Sequence, residues 1–307
     1  RPSLLPEGGY PWGDQWWAPM NLLPAGVAPS KEQQQEAAIE GMRQWLTLHG
    51  GNGHKKMLAL GDPWEFGGAE HERAWKRFIA GTDRHEEKFE AEMRDLFRRQ
   101  QDSVLARLTE ERGVKSAEGV TEEPFDKAKW GKIFKASGKP LIEAAFVDIA
   151  ETTLLDLAVG FDFDVGQPEA VRFLERSAQQ FAREVNGTTW QALKESLAAG
   201  MDAGEGIPKL SARVKDVFTD ASDVRSKMIA RTEVLRASNG GALEAAKQSK
   251  VVKGKRWLTA LDERVDENIC MPLHGETAPL NGTIGGFDMP PAHPQCRCIL
   301  NWELVED

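Results

Sequence analysis

Residues 290–298 read PPAHPQCRC and carry the most informative pattern in this 307-residue chain. His293, Cys296 and Cys298 lie within this segment, and Cys270 precedes it across a loop rich in Gly and Pro. Thiolates and imidazoles are the usual ligands of a closed tetrahedral zinc site. A metal ion bound by these side chains would fix the ends of a loop that has little core of its own. The spacing therefore predicts a zinc site formed by Cys270, His293, Cys296 and Cys298.

Three other interpretations of these residues stay open. His274, four residues after Cys270, could replace His293 as the imidazole ligand. The thiols could instead be reduced members of a small core, or Cys270 could form a disulfide with Cys296 or Cys298. Three cysteines are too few for a disulfide scaffold, and an odd number suits a reducing compartment.

The rest of the pattern predicts a mainly α fold with a small α+β carboxy-terminal module. Apolar residues recur at steps of three and four along Thr82–Arg112, which predicts a long helix. Further helices are predicted at 140–157, 168–185, 188–201, 208–218 and 221–247. Strands are predicted at Lys255–Leu261 and Ile299–Leu304, on either side of the cysteine-bearing loop.

Composition excludes some classes of protein. The chain has 39 Lys and Arg against 48 Asp and Glu, so its net charge of −9 excludes a uniformly basic nucleic-acid-binding protein. The sequence contains no run of about 18 apolar residues, so no membrane span is predicted. The common phosphate-binding, zinc-protease and serine-hydrolase motifs are absent from the sequence.

One segment is nevertheless basic. From Lys209 to Arg256 there are 12 Lys and Arg against 5 Asp and Glu. Such a segment could track the phosphates of DNA without reading its sequence, although an ordinary solvated helix face is the alternative. The candidate nucleic-acid-binding residues are Lys209, Arg213, Lys215, Arg225, Lys227, Lys253, Lys255 and Arg256.

A second group of charged residues could carry chemistry. Arg231 and Glu233 lie on a predicted helix, and Asp262 and Arg264 follow a predicted strand. With His293, these residues could form an acid–base or metal-assisted hydrolytic site. The alternative is a structural ion-pair network between the helix and the strand, and no catalytic residue is assigned.

The amino-terminal region has a different texture. Residues 1–30 contain six prolines and three tryptophans, which predicts an irregular arm that lies against another surface. Ser30 and Gln33 form a capping-box pattern for a helix to about Leu48. Because the first residue is Arg1, the chain is expected to begin inside a longer reading frame or after processing.

Ordered motifs over about residues 167–305 resemble the phage Mu F-like head morphogenesis (minor head protein) family. These motifs are Ile229-Ala230-Arg231-Thr232-Glu233, Ala237-Ser238-Asn239-Gly240, Trp257-x-Thr259-x-x-Asp262-x-Arg264-Val265, Cys270-x-x-Leu273-His274-Gly275 and the closing PPAHPQCRC. Many members place a cysteine a few residues before the position of Cys270, where this chain has Asp266. If a metal requires that ligand, this chain must use His274 or His293 in its place, or bind no metal.

The amino-terminal segment resembles the carboxy-terminal end of tailed-phage portal proteins. The residues that carry this similarity are Arg1, Leu4, Pro6, Gly8, Gly9 and Pro19-Met20-Asn21-Leu22-Leu23-Pro24. The two resemblances imply three parts: a portal-like arm at 1–30, a helical region at 31–120 and a Mu F-like domain at 121–307.

The resemblances imply a structural role in phage head assembly or DNA packaging. The chain would assemble in the host cytoplasm, stay in the virion at the portal vertex, and contact portal and capsid subunits and packaged DNA. The alternatives are a Mu F-like domain with transferase or nuclease-like activity, and a DNA-contacting protein packaged in the head.

Overall fold

The computed structural model describes residues 64–110, 119–120, 122–262 and 265–305. The predictions for the amino-terminal arm, for the capped helix after Ser30 and for the portal resemblance lie outside the described residues. Among the described residues, no helix is both long enough and apolar enough to cross a membrane.

The described chain is mainly helical and ends in a small antiparallel sheet, so the predicted fold class is confirmed. The helices are α1 (Ala69–Glu110), α2 (Lys127–Asp156), α3 (Pro168–Asp202), α4 (Ile207–Asp220) and α5 (Ser226–Ser249), with a π-helical turn at Ala221–Arg225 between α4 and α5. The strands are β1 (Val252–Leu258), β2 (Thr277–Pro279) and β3 (Ile299–Leu304), and a 3-10 turn spans Met271–Leu273.

The residues group into two compact units that do not follow chain order. The described residues of the first unit fall within Glu92–Ala136 and Gln179–Ser226. Those of the second fall within Pro29–Ala91, Ser137–Ala178 and Lys227–Asp307. The second unit therefore contains α5, the sheet and all three cysteines.

The sheet has the order β2-β1-β3, and both pairs of strands are antiparallel. Leu258 pairs with Ile299 and Val252 with Leu304, with a bulge near Gly254. The pairing places Cys298 directly before β3 and Cys270 in the connection that leads from β1 towards β2. The sheet thus brings both ends of the cysteine-bearing loop to one side of the second unit.

Helix α5 lies at the centre of the second unit. Nearly every side chain from Ile229 to Ala246 is buried, because Ala, Ser and Gly let neighbouring helices approach from several sides. A Cβ atom at Gly241 would lie 2.0 Å from the carbonyl oxygen of Phe146 in α2. One at Gly240 would lie 2.2 Å from the ring of Phe173 in α3, which stacks on Phe146. The Gly240-Gly241 pair is therefore required by close packing.

Three predicted helix boundaries are wrong. Helix α1 begins at Ala69 rather than Thr82, since Trp75 and Ile79 pack into the apolar core beneath the sheet and extend the helix. Helix α2 runs through Pro140, which lies on an exposed face where water can solvate the backbone carbonyl freed by the proline.

Helix α3 is continuous across the break predicted at residues 186–188. The side chain of Asn186 accepts a hydrogen bond from Gln100 and donates one to the carbonyl of Lys127. Because these partners occupy the amide, it does not compete with the helical backbone around it. In the first unit, the same contacts join α3 to α1 and α2.

Candidate metal centre

The loop after β1 positions Cys270 by a local capping arrangement. The Asp266 carboxylate accepts hydrogen bonds from the backbone N–H groups of Asn268 and Ile269, both at 2.8 Å. The N–H of Cys270 donates to the carbonyl of Asp266 at 2.9 Å. Asp266 therefore shapes the turn that presents the Cys270 thiol.

The predicted ligands come together in the second unit. Cys270 Sγ lies 2.9 Å from His293 Nε2 and 3.9 Å from Cys296 Sγ. One ligand atom from each of these three residues lies within 4.8 Å of the other two. Cys298 lies close enough to Cys270 and Cys296 to shift their pKa values, although it is not part of that 4.8 Å set. All three thiols are buried, and His293 is half-buried.

The ring of His293 is oriented for ligation. Its Nδ1 lies 2.9 Å from the carbonyl oxygen of Pro294, which defines Nδ1 as the protonated donor in the neutral ring. The lone pair of Nε2 then points at the Cys270 sulfur. A metal-ligating histidine commonly donates its second ring N–H to a carbonyl in this way.

His274, the alternative ligand, is engaged elsewhere. Its Nδ1 accepts a hydrogen bond from the Thr259 N–H at 3.2 Å, and its Nε2 donates to the carbonyl of Trp64 at 3.0 Å. Both ring nitrogens are therefore occupied in holding the segment before α1 against the end of β1. The geometry brings His293, and not His274, to the thiols.

Burial and contacts within the cluster shift the pKa values of its side chains in different directions. Burial opposes ionisation of Cys296, but hydrogen bonds from Cys270, Cys298 and His293 hold its pKa well below the usual value for a thiol. Burial also opposes protonation of His293, yet hydrogen bonds to Cys270 and Cys296 raise its pKa to about 11. Burial, with hydrogen bonds to the other two thiols, raises the pKa of Cys298. Hydrogen bonding within the cluster thus favours the ionised form of the Cys296 thiol and the protonated form of the His293 ring.

The residues between the ligands connect the loop to helix α5. The N–H of Gln295 donates to Thr232 Oγ1 at 3.1 Å. Its side-chain oxygen accepts a hydrogen bond from Arg231, whose Nε lies 3.3 Å from Glu86 in α1. Cys296 points into the cluster while its neighbour Gln295 binds the helices.

Arg297 makes a second connection, to α1. Its carbonyl accepts a hydrogen bond from the indole N–H of Trp75 at 2.8 Å, and its guanidinium lies 5.9 Å from the centre of the same ring. The guanidinium also pairs with Asp83 at 3.3 Å and with Asp262 at 3.7 Å. Within residues 295–298, the candidate ligands Cys296 and Cys298 therefore alternate with Gln295 and Arg297, which contact the helices.

Asn239 of α5 completes the connection to the sheet. Its Nδ2 donates to the carbonyl of Cys298 at 3.3 Å and to that of Leu235 at 3.1 Å, and its Oδ1 accepts from the N–H of Leu300 at 3.1 Å. The residue is fully buried. Its amide satisfies the backbone of β3 on the side away from β1, which fixes the thiol of Cys298 relative to the helix.

The predicted acid–base group does not form an open cleft. Glu233 is buried and pairs with Arg236 at 2.6 Å, Asp262 pairs with Arg297, and Arg231 pairs with Glu86. Arg264 lies outside the described residues. This arrangement favours the structural ion-pair network over a catalytic site.

The eight predicted nucleic-acid-binding residues fall into different environments. Arg225 is fully buried, with hydrogen bonds to Thr189 and to the carbonyl of Val185. Burial lowers its pKa to about 10. Lys255 is buried as well and donates to the carbonyls of Leu280 and Asp288. The donors of these two residues form hydrogen bonds within the fold. They do not face solvent, whereas contact with a phosphate would require them to do so.

Two more of the eight are in ion pairs. Arg213 pairs with Glu205 at 2.6 Å, and Arg256 pairs with Glu303 at 3.2 Å. The exposed members are Lys209, Lys215, Lys227 and Lys253, and they divide between the two units. Nucleic-acid binding by these exposed residues stays a prediction.

Several residues that build the centre were not predicted from the sequence. Trp75, Thr232 and Asn239 each bind the backbone of residues 295–300 from a helix. The available signal was Asn239, a polar residue in the middle of a run of small residues that the helical pattern buries. Trp75 gave no such signal, because an indole in an amphipathic helix is usually explained by core packing alone.

The class of module is now defined: a helical unit with a three-stranded sheet whose closing loop is gathered around three thiols and an imidazole. Residues 191–301 match the family described as Phage Mu protein F like protein. The match confirms the resemblance predicted from the motifs over these residues, and this part of the chain is similar to that family. The match covers a little over a third of the sequence and includes the whole candidate metal centre. Searches of curated proteins and of solved structures gave no match.

The matched segment connects the candidate site with a known family. The description of the family names a phage protein, and the similarity of this chain to it extends over residues 191–301. The Cys270, His293, Cys296 and Cys298 cluster is an arrangement that could bind a metal ion.

Proposed function

We propose that this protein is a minor component of a phage head, that it assembles at the portal vertex with portal and capsid subunits, and that a zinc ion closes its carboxy-terminal module. The role is structural, in procapsid assembly or DNA packaging. The observation that carries the proposal is the coincidence of the Mu F-like match with a buried cluster of protein-only ligands.

The surroundings of the cluster support a structural role. The thiols are fully buried, and the loop that bears them contacts α1 through Arg297 and α5 through Gln295. Structural zinc sites are closed by four protein ligands, whereas catalytic sites keep one position for water or substrate. Here three candidate ligands lie within 4.8 Å of one another, and the buried thiol of Cys298 is a fourth protein donor next to them, so the donor set fits the structural type.

The chemistry of the donors favours zinc over harder ions. Three sulfurs and one imidazole nitrogen are soft or borderline ligands, which suit Zn²⁺ and not Mg²⁺ or Ca²⁺. When bound, zinc would supply cross-links between residues 270 and 298 that stabilise only the folded loop. Arg297 and Asn239 would hold the backbone on either side of the Cys298 thiol in the geometry that ligation needs.

Co-assembly tests the head role. The chain is co-expressed with the portal and major capsid proteins of the same genome, and heads are purified by sedimentation. We expect the chain to sediment with heads that contain the portal and not with shells assembled without it. Sedimentation at the top of the gradient in both cases would contradict the proposal.

A matched pair of variants links assembly to the cluster. The double substitution C270S/C296S should weaken association with heads, because it removes two of the four ligands. The exposed substitution N281A, in the same loop but at none of the four candidate ligands, is the control and should sediment as the wild type does. Equal association of both variants would show that the cluster has no part in assembly.

A further inference from the structure

Two histidines of the second unit pack against each other outside the metal centre. His71 lies in the first turn of α1 and is fully buried, and His274 is 5% exposed. Their ring centres are 4.7 Å apart. The ring of Phe66 lies against both, with its centre 5.7 Å from that of His71 and 5.4 Å from that of His274. The proposed function uses neither imidazole.

Each of the two rings accepts one backbone N–H and donates to one backbone carbonyl. Nδ1 of His71 accepts from the N–H of Gly67 at 3.2 Å, and its Nε2 donates to the carbonyl of Thr259 at 2.7 Å. Nδ1 of His274 accepts from the N–H of Thr259 at 3.2 Å, and its Nε2 donates to the carbonyl of Trp64 at 3.0 Å. The two imidazoles thus tie both ends of the segment before α1 to the residue that follows β1.

This pattern of hydrogen bonds fits only neutral imidazoles. A protonated imidazole is a donor at both nitrogens. In either histidine, the added proton would lie on Nδ1 and would meet a backbone N–H, so that hydrogen bond would be lost. Two cationic rings 4.7 Å apart would also repel each other. Protonation therefore removes the contacts that hold residues 64–67 in place.

His85 shows the opposite arrangement on the same helix. It is also buried, and its Nε2 lies 3.1 Å from a carboxylate oxygen of Asp148. A carboxylate accepts a hydrogen bond from a neutral or a protonated ring, so His85 can take up a proton without losing its partner. His85 is therefore a matched control for His71.

Charged side chains do not offset the cost of burying a cation at His71. Burial lowers the pKa of His71, and the hydrogen bond to the Thr259 carbonyl opposes this shift. Among the described residues, no carboxylate contributes to it. The charged groups on the surrounding elements are Glu65 before α1, Glu70 and Glu72 on α1 (paired with Arg73 and Lys76), Arg256 on β1 (paired with Glu303), Asp262 after β1 (paired with Arg297), and Asp266 and Glu276 on either side of the 3-10 turn.

We infer that His71 and His274 form a pH-sensitive switch, called the histidine latch, that holds residues 64–67 against the end of β1 while both rings are neutral and releases them when a ring is protonated. The inference goes beyond the head role and does not depend on it. A released imidazole has an ordinary pKa of about 6.5. Because the folded ring of His71 binds its proton less tightly, the latch is closed above about pH 6.5 and opens as the pH falls below that value.

Hydrogen exchange at single amides tests the latch, because its contacts protect two of them. The N–H groups of Gly67 and Thr259 each donate to a histidine nitrogen. Exchange of the full chain is measured by mass spectrometry between pH 5 and pH 8, relative to the intrinsic rate at each pH. Protection at Gly67 should be constant above about pH 6.5. Below it, protection should fall by about tenfold per pH unit for each histidine that takes up a proton on opening.

Glutamine variants assign the pH dependence to the two rings. H71Q removes one of the two titrating groups, so the fall at Gly67 should become shallower by about tenfold per pH unit. H71Q/H274Q should show no fall, and H85Q should behave as the wild type does. Constant protection in the wild type from pH 8 to pH 5, or the wild-type slope in H71Q, would overturn the inference. These two results decide the question even if the double variant does not fold.

A third amide separates the latch from a wider opening of the unit. The N–H of Leu300 donates to Asn239, whose side chain does not titrate. At pH 5.5, Gly67 should exchange at least about tenfold faster than Leu300, because the latch opens while β3 stays paired. Equal protection at both amides would show that the whole unit opens together, and the inference would be wrong. The slope at Gly67 should also survive treatment with a chelator; its disappearance would assign the pH dependence to the thiol cluster and overturn the latch.

Discussion

Asn239 gives the sharpest test of how helix α5 holds the metal loop. Replacing it with Ala leaves the carbonyl of Cys298 and the N–H of Leu300 without their side-chain partner in a buried site. Each buried backbone group without a partner costs about 1–3 kcal/mol. The better helix propensity of Ala returns less than about 0.7 kcal/mol. We therefore expect N239A to lower the free energy of unfolding by about 2–5 kcal/mol.

The isosteric variant N239D refines this expectation. A carboxylate still accepts from the Leu300 N–H, but it places negative charge against the Cys298 carbonyl that the amide had satisfied. The loss should be at least as large as for N239A, because a buried charge without a partner is costly.

Urea unfolding followed by far-UV circular dichroism measures both variants, and hydrogen exchange reports on the Leu300 amide. The exposed substitution N281A is the control and should change stability by less than about 0.5 kcal/mol. If N239A is as stable as N281A and leaves exchange at Leu300 unchanged, Asn239 does not hold β3 and the reasoning is refuted.

Two further perturbations test the packing of the helices and the pH dependence of stability. G241A should destabilise the protein by about 3 kcal/mol or more in thermal unfolding, because its Cβ would lie 2.0 Å from the Phe146 carbonyl oxygen. G131A, whose Cβ would meet only Asn186 at 3.6 Å, should instead stabilise it by about 0.5–1 kcal/mol. Equal effects of the two substitutions would contradict the close packing at Gly241. Burial lowers the pKa of His71 below 6.5, so the unfolded chain binds the proton more tightly than the folded one. The free energy of unfolding should therefore fall as the pH drops below about 6.5. H71Q should flatten that part of the stability–pH curve, and an unchanged curve would show that His71 is not responsible.

The last strand and the meeting of the cysteines were predictable because their signals are local, whereas β1 lies three residues before the predicted strand and β2 was not predicted. Ile299–Leu304 is a β-prone run that directly follows the Pro-rich loop, and the structure has a strand with the same bounds. The cysteines are three in number and close in sequence, so their meeting required only that the loop fold back. Local pattern alone was sufficient in both cases.

The choice of histidine could not be made from local pattern. His274 and His293 both stand near a cysteine, but His274 is occupied by the carbonyl of Trp64, which lies 210 positions earlier in the chain. Contacts of such sequence separation leave no mark on spacing. For the same reason, the sequence did not predict the role of Trp75, whose indole N–H donates to the carbonyl of Arg297 across 222 positions.

Helix interruptions were overestimated for a related reason. Pro140 and the Asn186-Gly187 pair are local breakers, yet α2 and α3 pass through them. Tertiary contacts outweigh propensity there: Asn186 binds Gln100 and the Lys127 carbonyl. Propensity is a weak guide wherever the breaker has a partner or faces water.

Metal content measures the central claim most directly. The full chain is purified under reducing conditions, its zinc is quantified by elemental analysis, and its thermal unfolding is followed with and without a chelator. We expect about one zinc per chain and a lower melting temperature after chelation. The variants H293A and C296S should lose the bound zinc and the effect of chelation, whereas H274Q, whose ring does not face the thiols, should keep both. Zinc well below one equivalent in the wild type, with no effect of chelation, would contradict the central claim.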